Sequence, residues 1–380
     1  MLAPMHRRTA PGVILAVVLI ASACGGPASP TPSGQPTPTS ILTASPAATP
    51  TPTPPETQTP EPTRDARASW TRLETAGDVP AAREDHTWTV DGPEMTAYLF
   101  GGRAGSTTFD DLWAYDLATD AWREVEPAGP RPLGRFGHEA QWVVGRLVVF
   151  AGQADASTFF GDLWAYDPGA NAWTELPAAG DAPVPRYGSC SAWGEADRLW
   201  ISHGFTEDGA RFFDTRAYDF IARRWTDMTP PGPAPVERCL HVCWWTADGR
   251  FALYGGQTTG VAALGDLWAL TPGAGEGQTG SWAKIEVERP SERALPAAAI
   301  RAEAEVILFG GKGLDGAYLA DLYRIDGLTL QPTPIAVDGV APGGRAAATL
   351  IHDKAGRRLL LFGGKDAAGA NAELWALTLR

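Results

Sequence analysis

A pair of glycines, or a near variant of one, returns every fifty-odd residues along this chain: Gly101-Gly102, Ala151-Gly152, His203-Gly204, Gly255-Gly256, Gly310-Gly311 and Gly363-Gly364. Each pair follows a short apolar run, such as Leu147-Val148-Val149-Phe150 or Val306-Ile307-Leu308-Phe309, and precedes a run like Asp162-Leu163-Trp164. A unit of this length cannot bury its own apolar faces. Stacked copies can, so the period dictates a repeat architecture before any single motif is considered. Residues 69–380 hold six such units, and fifteen tryptophans supply material for their core.

The second unit shows the plan. Arg135 and His138 lead into a first strand, Arg146-Leu147-Val148-Val149-Phe150 is the second, Gly161-Asp162-Leu163-Trp164-Ala165-Tyr166-Asp167 the third and Ala172-Trp173-Thr174-Glu175-Leu176 the fourth, with turn residues between them. In the pair, the first residue lets the strand end sharply and the second leaves no Cβ where the neighbouring backbone crowds in. This pattern resembles the Kelch-repeat β-propellers over the whole of residues 69–380. The resemblance implies an all-β, six-bladed β-propeller of four-stranded blades. The ends agree with closure: Ser69-Trp70-Thr71-Arg72-Leu73 reads as a fourth strand without its first three, and Glu373-Leu374-Trp375-Ala376-Leu377 as a third strand without its fourth. Joined, they complete one blade and leave no open sheet edge.

Ahead of the repeats, residues 1–23 have the layout of an export signal, with Arg7 and Arg8 before an apolar stretch too short to span a bilayer. The stretch ends on Ala21-Ser22-Ala23-Cys24, which resembles the bacterial lipoprotein box and implies lipidation of Cys24. Residues 24–68 then form a Pro/Thr-rich tether whose composition cannot offset chain entropy. The expected location is the extracytoplasmic face of the cell envelope, with a lipid anchor as the sole membrane contact. A net charge of −13 argues against nucleic acid as a partner.

Strands alternate in direction, so the turns after the second and fourth strands share one rim. Three positions meet there. Arg83, Arg135, Arg186, Arg238, Arg293 and Arg345 open the first strands. Arg103, Phe205, Lys312 and Lys365 follow the glycine pairs, with Arg211 in the third unit's loop. Asp111, Asp162, Asp214, Asp266, Asp321 and Glu373 open the third strands, at a near-constant distance from the arginines. That spacing predicts one ion pair per blade, since six converging unpaired guanidinium groups would repel one another. Because an arginine has five donors, the pairs leave room for a second expectation: the rim arginines, with the residues after the glycine pairs, hold a partner. The third unit departs from the pattern with His203, Arg216 and Arg211-Phe212-Phe213, and a break in repeat symmetry is a place where a site can be grafted.

No catalytic set, metal site or cofactor is expected. His86, His138 and His241 recur at one repeat position, and a metal would require them to converge from separate blades. Cys239 and Cys243 lie too close along one strand to bridge each other; Cys190 can reach one of them, although small buried thiols account for all three. Nine tryptophans hold repeat positions in third and fourth strands, leaving Trp88 and Trp244 the least explained. The reading that follows is a monomeric, membrane-anchored module binding an unidentified protein or glycan through the arginine rim. Two alternatives stand beside it. One is an enzyme similar to the Kelch-type sialic acid epimerases, with Glu84, Asp85 and the rim arginines as candidate acid and base groups; the other is an envelope scaffold.

Overall fold

The computed structural model describes residues 67–380 apart from residues 76, 195–196 and 276–277. The export signal, Cys24 and nearly all of the tether lie outside the described residues. Arg67 and Ala68, read above as the end of the tether, already belong to a strand, Arg67–Arg72, in which Ala68 is fully buried opposite Leu379.

Six antiparallel sheets form the blades of a β-propeller. Blade 1 consists of Thr87–Val90, Thr96–Phe100, Leu112–Asp116 and Ala121–Val125, in that order from the axis outward. Blades 2 to 5 repeat the arrangement, with inner strands Glu139–Val143, Cys190–Gly194, Val242–Trp245 and Ala297–Ile300. Blade 6 is built from both ends of the described chain. Its inner strands are Thr349–Asp353, Arg358–Phe362 and Leu374–Leu379, and Arg67–Arg72 pairs antiparallel to the last with Trp70 opposite Leu377. Segments running between blades cover two outer edges: Ala336–Asp338 adds in parallel to Arg67–Arg72, and Ala179–Gly180 to Arg224–Asp227. Such covers remove the unpaired donors and acceptors that an outer strand otherwise presents. Among the described residues no helix is long and apolar enough to cross a membrane.

The core lies between blades. Val148, Phe150 and Leu163 of blade 2 pack on Leu199, Ile201, Tyr218 and Trp225 of blade 3, and the same kind of cluster fills the other junctions. Both faces of each sheet are therefore buried, which is why the third strands read as nearly continuous apolar runs. Trp88 stacks on Trp122 with ring centroids 5.3 Å apart, and Trp244 is buried beside Tyr254, so both belong to this packing.

The glycine pairs divide into two conformations. The first position has φ between 60° and 74°, a left-handed geometry that Ala151 and His203 also adopt. The second has φ between 90° and 106°, and at Gly102 a Cβ would lie 2.9 Å from the Glu84 carbonyl oxygen. Variation at the first position and constancy at the second follow directly.

A disulfide joins Cys190 and Cys243 on the inner strands of blades 3 and 4, while Cys239 remains a buried thiol. The expectation of three buried thiols is thus corrected: inter-blade packing brings Cys190 and Cys243 to a Cα separation of 5.7 Å, within bridging range. The bond closes a loop with a sequence separation of 53 residues. Replacing both cysteines with alanine is expected to lower stability by roughly 2–4 kcal/mol through greater freedom of the unfolded chain. Urea denaturation would measure it, and an unchanged midpoint would rule out a stabilising role.

Candidate functional site at the arginine rim

All six repeat arginines lie at the start of their blades, at most 2% exposed. In blades 1 to 5 each guanidinium grips its carboxylate through both terminal nitrogens at 2.6–3.0 Å, as in Arg135 with Asp162. In the same group Nη1 also donates to the carbonyl of the first residue of the glycine pair, and Nε to a carbonyl two residues upstream. Blade 6 differs because Glu373 is longer: Arg345 makes one bond to it, and Asn371 accepts the other at 2.9 Å. Phenylalanine rings cover the guanidinium groups of Arg83, Arg135 and Arg186 at 4.1–4.3 Å. Burial raises the carboxyls of Asp162, Asp214 and Asp266, but the bonds and charge from arginine outweigh it and hold them below the ordinary carboxylate range.

The ion pairs read from the spacing are present in every blade. The further expectation, that these six arginines hold a partner, does not fit their surroundings. At least four of the five donors of each are used within the blade, and Arg83, Arg135, Arg186, Arg238 and Arg293 have no exposed surface.

Third-strand tryptophans complete the collar. Trp113, Trp164, Trp268 and Trp375 donate Nε1–H to the same carboxylates at 2.7–3.1 Å. In blade 3 the Nε of Arg216 does so at 3.1 Å. The missing tryptophan is therefore a chemical substitution that preserves the bond. His203 is also structural, being fully buried with its Nδ1 2.6 Å from Ser202 Oγ and its ring 5.3 Å from that of His241. It offers no ligand access. The repeat histidines do not converge: His86 bonds Thr349 at 2.7 Å, and His138 bonds Thr87 at 2.8 Å, each across a blade junction.

Inside the arginines runs a ring that sequence reasoning missed. Asp85, Gly137, Gly188, Leu240, Leu295 and Ala347 all have φ between 55° and 64°. Each donates its N–H to the carbonyl of its counterpart on the preceding blade at 2.7–3.0 Å, and the bond from Asp85 to Ala347 closes the circle. The side chains of Tyr187 and Leu240 lie over Gly137 and Gly188. No common residue type marks these positions; their sole sequence signal is placement two residues after each arginine.

Around this ring stand apolar and cationic side chains, with Leu314 of blade 5 more than half exposed on the same loop as Lys312. On blades 2 to 4, Leu133, Val184, Val236 and Phe213 are each more than half exposed, and Phe205 packs edge-on to Tyr187 and Phe159. Arg211, also in blade 3, has its guanidinium carbon 6.0 Å from the centre of the Phe205 ring and bonds Thr259. On blades 5, 6 and 1 stand Lys312, Lys365 and Arg103. Lys365 pairs with Glu84 at 3.2 Å; Arg103 pairs with Asp85 at 3.0 Å and covers the Phe136 ring at 4.2 Å. Lys312 is exposed and has no carboxylate within 4.0 Å among the described residues. Asp85 also accepts a bond from the Tyr187 hydroxyl at 3.1 Å, and burial, opposed by Arg103, pushes its carboxyl up to about 6.

A closed propeller with an arginine, a carboxylate and a glycine pair or its near variant recurring in every blade defines a Kelch-repeat protein. The chain belongs to that family: residues 64–256 match the KLHDC2/KLHL20/DRC7 Kelch-repeats domain. It is similar to Kelch domain-containing protein 3 of Homo sapiens, 31% identical over 132 residues that make up 32% of this chain and 34% of that protein. Adagio-like protein 3 of Oryza sativa subsp. japonica is 26% identical over 279 residues, 70% of this chain and 43% of its own. Acyl-CoA-binding domain-containing protein 5 of Arabidopsis thaliana is 33% identical over 121 residues, 32% of this chain and 18% of its own. The chain thus spans less than half the length of each of these relatives.

Proposed function

We propose that this propeller is a binding module of the cell envelope, lipid-anchored through Cys24, that captures an acidic protein or glycan with an apolar face on the arginine rim. The observation that carries the reading is Lys312, exposed and without a carboxylate partner among the described residues, beside exposed apolar side chains of the same rim: Leu314 on its own loop and Leu133, Val184, Val236 and Phe213 on blades 2 to 4. On a chain of net charge −13 an exposed, unpaired cation is complementary to an acidic partner. The Cys190–Cys243 bond supports an extracytoplasmic location, since disulfides persist in oxidising compartments.

The arrangement also predicts the outcome of a binding screen. Arrays of sialylated, uronic-acid and neutral glycans and of acidic and basic peptides are expected to show preference for acidic members. The Lys312→Glu/Val184→Asp variant should weaken those signals at least tenfold while its melting temperature stays unchanged. No preference for acidic probes, or retention of the signals in the variant, would remove the rim assignment. One observation favours epimerase-like carbohydrate chemistry as a second reading: Asp85, with its carboxyl near neutrality, sits between Arg103 and Tyr187 at the rim's centre. Exchange spectroscopy by NMR on sialic and uronic acids would detect turnover, and flat spectra would exclude it.

A further inference from the structure

The six inner strands enclose a cavity of about 630 Å³ along the propeller axis, running from the ring residues to Asp91, Glu94 and His352 at the opposite rim. That volume is in the range of small-molecule sites. Its walls are unequal. Blades 2 and 3 contribute Glu139, Gln141 and Ser191, joined by hydrogen bonds: Ser191 Oγ donates to Glu139 Oε2 at 2.9 Å, and Gln141 Nε2 donates to Ser191 Oγ at 3.1 Å and to its carbonyl at 3.0 Å. Across from them, blade 5 presents Ala297-Ala298-Ala299, and blade 4 presents Val242. Neighbouring inner strands approach closely at every junction except that between blades 4 and 5, where the cavity reaches Trp244 and Val306. The disulfide ties the blade 4 strand toward blade 3, and the three alanines do not fill the space left on the other side.

Glu139 is the unbalanced element. Its carboxyl faces the cavity with one oxygen held by Ser191 and, among the described residues, has no Lys, Arg or His nitrogen within 4.0 Å. Burial pushes it up to about 8, outweighing the partial charge relief from the Ser191 hydroxyl and backbone N–H. A carboxyl held in place but denied a counter-charge is complementary to a cation that arrives from outside. Asp91 lies at the opposite mouth, where its carboxylate favours entry of that same charge, while Glu94 beside it is paired with Lys354 at 3.4 Å.

We infer that the axial cavity is a binding site for a small amphipathic amine, with its ammonium group on Glu139 and its apolar body against Ala298 and Val242. The site is separate from the arginine rim, so it stands or falls independently of the function proposed there. Pentylamine tests it with the full chain. Calorimetric titration should show saturable one-to-one binding of pentylamine and none of pentanol or pentanoate. Affinity should fall at least tenfold in Glu139→Gln, fall again in Ala298→Leu, and remain unchanged in the rim variant Lys312→Glu/Val184→Asp. Circular dichroism confirms that each variant is folded; if Ala298→Leu is not, the Glu139→Gln comparison decides alone. Absence of saturation by pentylamine up to millimolar concentrations, equal binding of pentanol, or undiminished affinity in Glu139→Gln would each overturn the assignment.

Discussion

Arg135→Ala is expected to destabilise the propeller by roughly 3–5 kcal/mol, the cost of breaking a buried ion pair from one side. The effect exceeds that of a surface pair because the guanidinium serves four acceptors at once. Removing it leaves Asp162 with only the Trp164 indole nearby, strips a donor from the carbonyls of Ala151 and Leu133, and empties the space against Phe160. Lysine should recover little, since a point charge cannot span two carboxylate oxygens and two carbonyls. The double variant Arg135→Met/Asp162→Leu should regain part of the loss, because no unpaired charge remains. Arg211→Ala, on the same rim but partly exposed, should change stability by less than about 0.5 kcal/mol. Urea midpoints for the four variants separate these outcomes, and a cost for Arg135→Ala no larger than that for Arg211→Ala would mean that the collar does not hold the blades.

What was legible in the sequence followed the period. The constant spacing from arginine to carboxylate fixed the ion pairs, and the phase of Trp70 against Trp375 fixed the closing blade, because both depend only on counting residues along strands. Burial did not follow from counting. The rings of Phe109, Phe160 and Phe212 that cover the arginines come from loops whose path the repeat does not specify. The hydrogen-bonded ring through Asp85, Leu240 and Leu295 was invisible for a related reason. Its left-handed backbone is imposed by contacts between neighbouring blades and is adopted by Asp85, Leu240, Leu295 and Ala347 as well as by Gly137 and Gly188, so no single residue type marks it. His203 shows the reverse error. An unusual residue in a constant position suggested a ligand, whereas the position tolerates any side chain that can be left-handed and fit the junction. The choice of Cys243 over Cys239 as partner for Cys190 required the lateral register of two blades that share no hydrogen bonds along the inner strands.

Buried histidines at the blade junctions make the fold acid-sensitive in a range where its carboxylates alone would not. Burial, reinforced by neighbouring arginines, holds His86 and His138 well below 6.5, and it does the same for His203 and His241. A histidine whose folded pKa lies below its unfolded value contributes stability that is complete above about 6.5 and is lost as pH falls, since the unfolded chain takes up the proton first. Two carboxyls oppose the trend. Burial raises Glu139 to about 8 and Asp85 to about 6, so their contribution grows as pH falls toward the unfolded carboxylate range. From pH 8 to 7 only Glu139 acts, and stability should rise slightly on acidification. Between pH 6 and 5 the unfolded state holds protons on these four histidines, and on the half-buried His352 whose pKa burial also lowers, while the folded state holds them on two carboxyls. A net of about two corresponds to a loss of about 3 kcal/mol per pH unit. Urea midpoints at pH 8, 7, 6 and 5 should therefore pass through a maximum near neutrality and drop steeply below pH 6. Glu139→Gln should remove the rise between pH 8 and 7 and steepen the drop below it. A midpoint that is flat or climbing from pH 7 to 5 would mean that the junction histidines are protonated in the folded protein despite their packing against Phe100, Phe362 and one another, and would overturn this account.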